Sequence, residues 1–137
     1  MKRDEGSITL WMVGLVMVVF AVGGISIDLW RGLAAHRHVA SVADAAAVAA
    51  GSGIDETTWR LEGRLILEPA HVAERVAAAV AAQSGEGIVD YRVTTVPDGS
   101  RATVTASTQV ELTLLALLAD GPIEVSAHAS ASPTLSP

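Results

Sequence analysis

The hydrophobic pattern changes character several times along the chain. Residues 7–27 read SITLWMVGLVMVVFAVGGISI, a run without one ionisable side chain. At about 1.5 Å per residue such a run crosses the roughly 30 Å hydrocarbon core of a bilayer. Lipid offers the backbone no hydrogen-bond partners, so the run must be helical. Trp11 and Trp30 fall near its two ends, where indole rings favour the interface. A buried helix this apolar would need a larger protein shell than 137 residues supply.

From Asp28 to Ala50 the composition turns alanine-rich and no proline intervenes, which favours an uninterrupted helix. Leu29, Leu33, Val39, Val42, Ala43 and Ala46 follow three/four spacing and predict one apolar stripe, with Arg31, His38 and Asp44 off it. Gly51-Ser52-Gly53 is a glycine stop. One helix over residues 7–50 is therefore expected, half of it in lipid. Its alanines allow another backbone to approach closely.

Beyond the stop, Asp55-Glu56-Thr57-Thr58-Trp59 predicts a short helical turn, with Trp59 as a lid on the core. Pro69 suits a first helical position after Glu68, and Val72, Val76, Ala79, Val80 and Gln83 share one face of the helix that follows. Ser84-Gly85-Glu86-Gly87 ends it. The period then drops to two. Residues 88–96 predict a strand, Pro97-Asp98-Gly99-Ser100 a turn, and residues 101–112 a second strand with Ala102, Val104, Ala106, Thr108, Val110 and Leu112 on one face. The leucine cluster at 112–118 reads as a helical turn or a loop tucked against the sheet. Asp120-Gly121-Pro122 breaks it, and Ile123 to Ala131 alternate as a third strand. The predicted fold is α+β: a long N-terminal transmembrane helix extending into a small domain with a second helix and a three-stranded antiparallel sheet. The expected divisions are a charged cytoplasmic leader at 1–6, the membrane helix at 7–27, its helical extension at 28–50 and an extracytoplasmic domain at 51–137.

Charge narrows the partners. The net charge is −6, and it lies in the residues after the span. That argues against nucleic acid, whose affinity comes largely from Lys and Arg on phosphates. The bilayer is the first partner expected. Lys2, Arg3 and the amino terminus before the span, against Arg31 and Arg37 after it, tilt the orientation slightly towards a cytoplasmic N-terminus. The chain has no cysteine, which removes disulfides, thiolate metal sites and cysteine nucleophiles. Ala21-Val22-Gly23 resembles a signal-peptide cleavage site, although the hydrophobic run continues through it to Ile27.

Catalytic chemistry finds little footing. His36 and His38 are two apart on a helix and point to different faces, and His71 and His128 read as surface residues. Asp55, Glu56, Glu62, Glu68 and Glu74 are scattered, and no pattern sets two of them against one reacting atom. Ser84, Ser100 and Ser107 lack a glycine-flanked nucleophile context. Neither Gly23-Gly24 nor Gly85-Glu86-Gly87 forms a phosphate loop. No catalytic residue, cofactor or metal ligand is expected.

The residues from Gly6 to Asp55 resemble the N-terminal region of TadE/TadG-like proteins, pilin-like components of Tad (Flp) pilus assembly. The marks are Gly6, the Ile27-Asp28 pair at the end of the apolar helix, and Ala43-Asp44-Ala45-Ala46. Leu67-Glu68-Pro69-Ala70 and the hairpin ending VTASTQVEL resemble actinobacterial members. The resemblance implies a pilin-like domain, with Asp28, Ala43, Asp44 and Ala47 as framework positions. Other pilin-like or Tad-system membrane proteins are the implied partners. It also matches Gly6-Ser7 to the bond a prepilin peptidase cuts, which adds that peptidase as a partner; Ser7 as a helix cap is the competing reading. Many such proteins carry a glutamate five residues after the cut, where this chain has Trp11. That departure argues against a major filament subunit. The function implied is a membrane-anchored minor pilin-like accessory component. A membrane-tethered binding or sensing module unrelated to pili, or a soluble domain secreted after signal cleavage, stand as alternatives.

Overall fold

The structure is a computed structural model that describes residues 5–83, 90–117 and 121–134. Residues 1–4 of the expected leader, the stop at 84–87, Ile88, Leu118, Asp120 and the tail beyond Thr134 lie outside the described residues.

Helix α1 runs unbroken over Glu5–Gly51, 47 residues, or about 70 Å at the α-helical rise. Its first half touches almost nothing: Trp11, Phe20 and most of their apolar neighbours are exposed. Ser26, the one hydroxyl near the end of the span, donates to the Val22 carbonyl 2.8 Å away, so it brings no unsatisfied group into the apolar zone. The second half of α1 is the spine of the folded domain.

Helix α2 (Glu56–Glu62) is capped by Asp55, whose carboxylate accepts from the amides of Thr57 and Thr58 at 2.9 and 3.1 Å. Gly63 ends it in the left-handed conformation. Helix α3 (Pro69–Gln83) starts at the expected proline and buries Val72, Val76 and Val80. Trp59 is half-buried and stands outside the core. Strands β1 (Asp90–Thr95), β2 (Ala102–Val110) and β3 (Ile123–Ala131) form an antiparallel meander in the order β1-β2-β3, so β1 and β3 are its edges. Val93 pairs with Val104, and Val104 with Ala129.

The core is thin and built of small side chains. Val42, Ala46 and Ala50 of α1 meet Val72, Val76 and Val80 of α3 and Ala102 and Val104 of β2. Nearer the membrane, Val39 and Ala43 meet Ala106, with Ala127 and Ala129 of β3 alongside. β2 thus descends along α1 towards the span, while the β1–β2 turn lies at the far end. There Gly99 adopts φ +67° and its carbonyl accepts from the Leu67 amide at 2.9 Å. A side chain at Gly99 would collide with Ile66 and Leu67 as well as strain the turn.

One expectation is corrected. The covered stripe of α1 runs through half-buried Gly24, Gly32 and Ala35 and buried Asp28, Val39, Val42, Ala46 and Ala50, with Ala43 and Ala47 beside it. Leu29 and Leu33 do not belong to it: they are 63% and 46% exposed. They stand about 100° and 140° round the helix from Asp28, on the side that carries Trp30. The domain closes over Asp28, so these leucines extend the lipid-facing surface instead of the core.

Val104 is fully buried at the centre of the sheet. Val104→Ala is expected to cost roughly 1.5–3 kcal/mol of domain stability. The same change at exposed Val48 should stay within about 0.5 kcal/mol. Unfolding in detergent micelles, followed through the sheet's circular dichroism, measures both.

Candidate functional site

The described residue that departs most from its surroundings is Asp28. It is the only charged side chain among the buried ones described, 1% exposed, at the outer end of an apolar helix. Its partners lie far along the sequence. After β2 the chain bends at Thr113 and Leu114 and enters a single 3-10 turn, Leu115–Leu117. Asp28 accepts the amide of Thr113 on Oδ1 at 2.9 Å, and those of Leu114 and Leu115 on Oδ2 at 2.7 and 2.9 Å. Helical turns begin with orphan N–H groups, and a carboxylate is a strong acceptor for them. Here the cap is supplied by a different element, 85 to 87 residues away in sequence.

Two neighbours complete this clamp. Arg31, one turn further along α1, donates from Nη1 to the Thr113 hydroxyl at 2.7 Å. Gly24, one turn back, lets Leu114 settle on the helix backbone; a Cβ there would overlap the Leu114 side chain. Leu114 also closes one side of an open apolar groove with Met17, Phe20, Gly23, Gly24 and Ile27. The clamp therefore ties the leucine segment to the last turns of the span. It is not tucked under the sheet.

The other residues singled out in the sequence fall apart in space. Ala43 and Ala47 are buried beneath the sheet, whereas Asp44 between them is exposed. Gly6-Ser7 lies in the first turn of α1, some twenty residues from Asp28. His36 and His38 are exposed on α1, and His128 is exposed on β3. His71 pairs with Glu68 through Nδ1 at 3.0 Å, at the start of α3. Among the described residues no His, Asp and Glu cluster is disposed to hold a metal ion.

Two carboxylates in the outer part of the domain have lowered pKa values. Asp55 is held below its ordinary value of 3.8 chiefly by the Thr58 hydroxyl, then by the amides of Thr58 and Thr57. Asp98, in the β1–β2 turn, is lowered chiefly by the Ser100 hydroxyl and then by its amide.

Residues 6–53 match the family model "Putative Flp pilus-assembly TadE/G-like". This segment is similar to TadE/G-like proteins. The match covers the membrane helix and the buried stripe, including Asp28, and ends where α1 stops. It connects the chain with Flp pilus assembly, a structural rather than catalytic family. No curated protein and no solved structure matches the chain. The Tad segment holds one helix long and apolar enough to cross a membrane, with none of its most apolar stretch buried. Leaving each large apolar side chain in water would forgo about 1.5–3 kcal/mol, so the helix is suited to lipid. The other half of the clamp, Thr113 to Leu115, lies outside the matched Tad segment. Sequence reasoning took Asp28 as framework but missed its partners.

Asp28→Ala should release the leucine turn. Amide exchange at Leu114 and Leu115 is expected to speed up on the order of tenfold or more, with a smaller effect for Asp28→Asn and none for Asp44→Ala. Hydrogen exchange in lipid nanodiscs reads all three. For Asp55 the folded value lies below the unfolded one. Its ionised form therefore adds stability above the ordinary value, and this is lost as pH falls through the lowered folded value. An NMR titration of the Thr58 amide should show a midpoint below 3.8.

Proposed function

We propose that the chain is a membrane-anchored, minor pilin-like accessory component of a Tad (Flp) pilus-assembly or secretion apparatus, with no catalytic role. The observation that carries this reading is that one helix, the TadE/G-like one, serves as both anchor and spine. A protein built this way transmits position from the bilayer to an outer domain. The Lys2 and Arg3 charges ahead of the span support a cytoplasmic N-terminus, with the acidic domain on the other side. The similarity of the later elements to actinobacterial members belongs to the same proposal.

Partners follow from which helix faces remain free. The alanine stripe beyond Val39 is filled by the chain's own sheet and α3. Neighbouring pilin-like helices are thus left the opposite face, where Leu29, Trp30 and Leu33 are exposed. Prepilin peptidase would act at Gly6-Ser7, and cleavage requires the first turn of α1 to open. Trp11 stands where relatives place a glutamate, which supports an accessory place over a major filament subunit.

Intact mass of the membrane-extracted protein tests the reading. A mature chain beginning at Ser7 is expected. An unprocessed chain would remove the peptidase from the partners but keep the anchor. A product beginning at Gly24 would overturn the assignment, since the anchor would be gone. Co-purification with other Tad membrane proteins is also expected; its failure would favour a tethered module unconnected with pili.

A further inference from the structure

We infer that the leucine turn after β2 is a second membrane contact, a short wedge that enters the outer edge of the same leaflet beside α1 and meets phospholipid acyl chains. The inference rests on the reading of α1 as a membrane anchor.

Depth comes first. Trp11 and Trp30, both largely exposed, are 19 residues apart in sequence, or about 28 Å along the helix. That separation matches the hydrocarbon thickness between two interfacial belts. Leu114 rests on Gly24, six residues inside Trp30, and so about 9 Å towards the bilayer centre. The same side chain lines a groove with Met17, Phe20 and Ile27 of the span. The turn is therefore continuous with a surface that lipid already covers.

Chemistry agrees with that depth. Leu112, Leu114 and Leu115 are half-buried and Ala116 is exposed. Ile123, where β3 begins opposite Val110, is 45% exposed at the same end of the sheet. Irregular backbone is tolerated near hydrocarbon only when its polar groups have internal partners. Asp28 provides them for three successive amides, and Arg31 bonds the Thr113 hydroxyl while its charge lies towards the headgroups. Glu111 and Glu124 are exposed at the same end of the sheet. They limit entry to the turn itself. An isolated 3-10 turn in water would need none of this arrangement.

The chain lacks cysteine, so single labels report cleanly. Ala116→Cys and Ile123→Cys, carrying a nitrobenzoxadiazole fluorophore, are compared in phosphatidylcholine nanodiscs with Phe20→Cys in the span and His128→Cys on the open sheet face. Ala116 and Ile123 are both exposed, so neither label disturbs packing. The expected result at Ala116 is blue-shifted emission, quenching by a doxyl-labelled phospholipid as at Phe20, and loss of the iodide quenching seen at His128. Ile123 should lie between the two controls. Adding Asp28→Ala should restore iodide quenching at Ala116 and leave Phe20 unchanged. Iodide quenching at Ala116 equal to that at His128, with Phe20 in lipid, overturns the wedge alone. Shielding from iodide without lipid quenching also overturns it, because a protein surface would then be the cover. A Phe20 label that sees water overturns the wedge and the anchor together.

Discussion

A single carboxylate divides the long helix into two environments. Below Asp28 the side chains of α1 face outward in every direction; above it, one face is sealed by β2, β3 and α3. Three backbone amides from a segment more than eighty residues later converge on this group. The arrangement satisfies two demands at once. A buried charge needs several donors to offset lost hydration, and the start of a helical turn needs an acceptor. Without the carboxylate, the leucine turn would bring three unpartnered N–H groups to the apolar end of the domain, where water is scarcest.

The rest of the fold follows from how closely α1 lets other elements approach. Ala43, Ala46, Ala47 and Ala50 present little more than backbone to the sheet, and Ala102 and Ala106 answer from β2. Such a core has few large side chains to define it, so specificity comes from the valines at its centre and from polar pins at its two ends. Near the membrane the pin is Asp28. At the far end the segment joining α1 to α3 is stitched by paired backbone groups: Asp55 to Ile66, Glu68 to Gly53, and Leu67 to Gly99. The short α2 hangs on this stitching with no buried residue of its own.

Much of this was legible from residue order. The long helix, the proline start of α3, the short helical turn near Asp55 and the three strands all follow from local period and turn chemistry, and each of those signals acts within a few residues. The stripe on α1 was read less well. Apolar residues near Asp28 could face either lipid or protein, and Leu29 and Leu33 satisfy the same spacing rule under both. Only the position of the closing segment decides between them. The role of Asp28 was half visible: an acid at the end of an apolar run needs partners, but nothing in a single sequence says they are Thr113, Leu114 and Leu115. Long-range hydrogen bonds to backbone leave no trace in side-chain identity at the donor positions.

The distance in sequence between Asp28 and its three amides sets an order of events. The helix is synthesised first and can settle in the bilayer while most of the domain does not yet exist. α3 emerges before β2 and can pack on the stripe of α1 first, and the turn at Thr113 follows both. The domain is therefore completed against a helix already in place. Closing the turn on Asp28 joins a late part of the fold to one of the first, a molecular latch that can engage only once the chain between them has arrived.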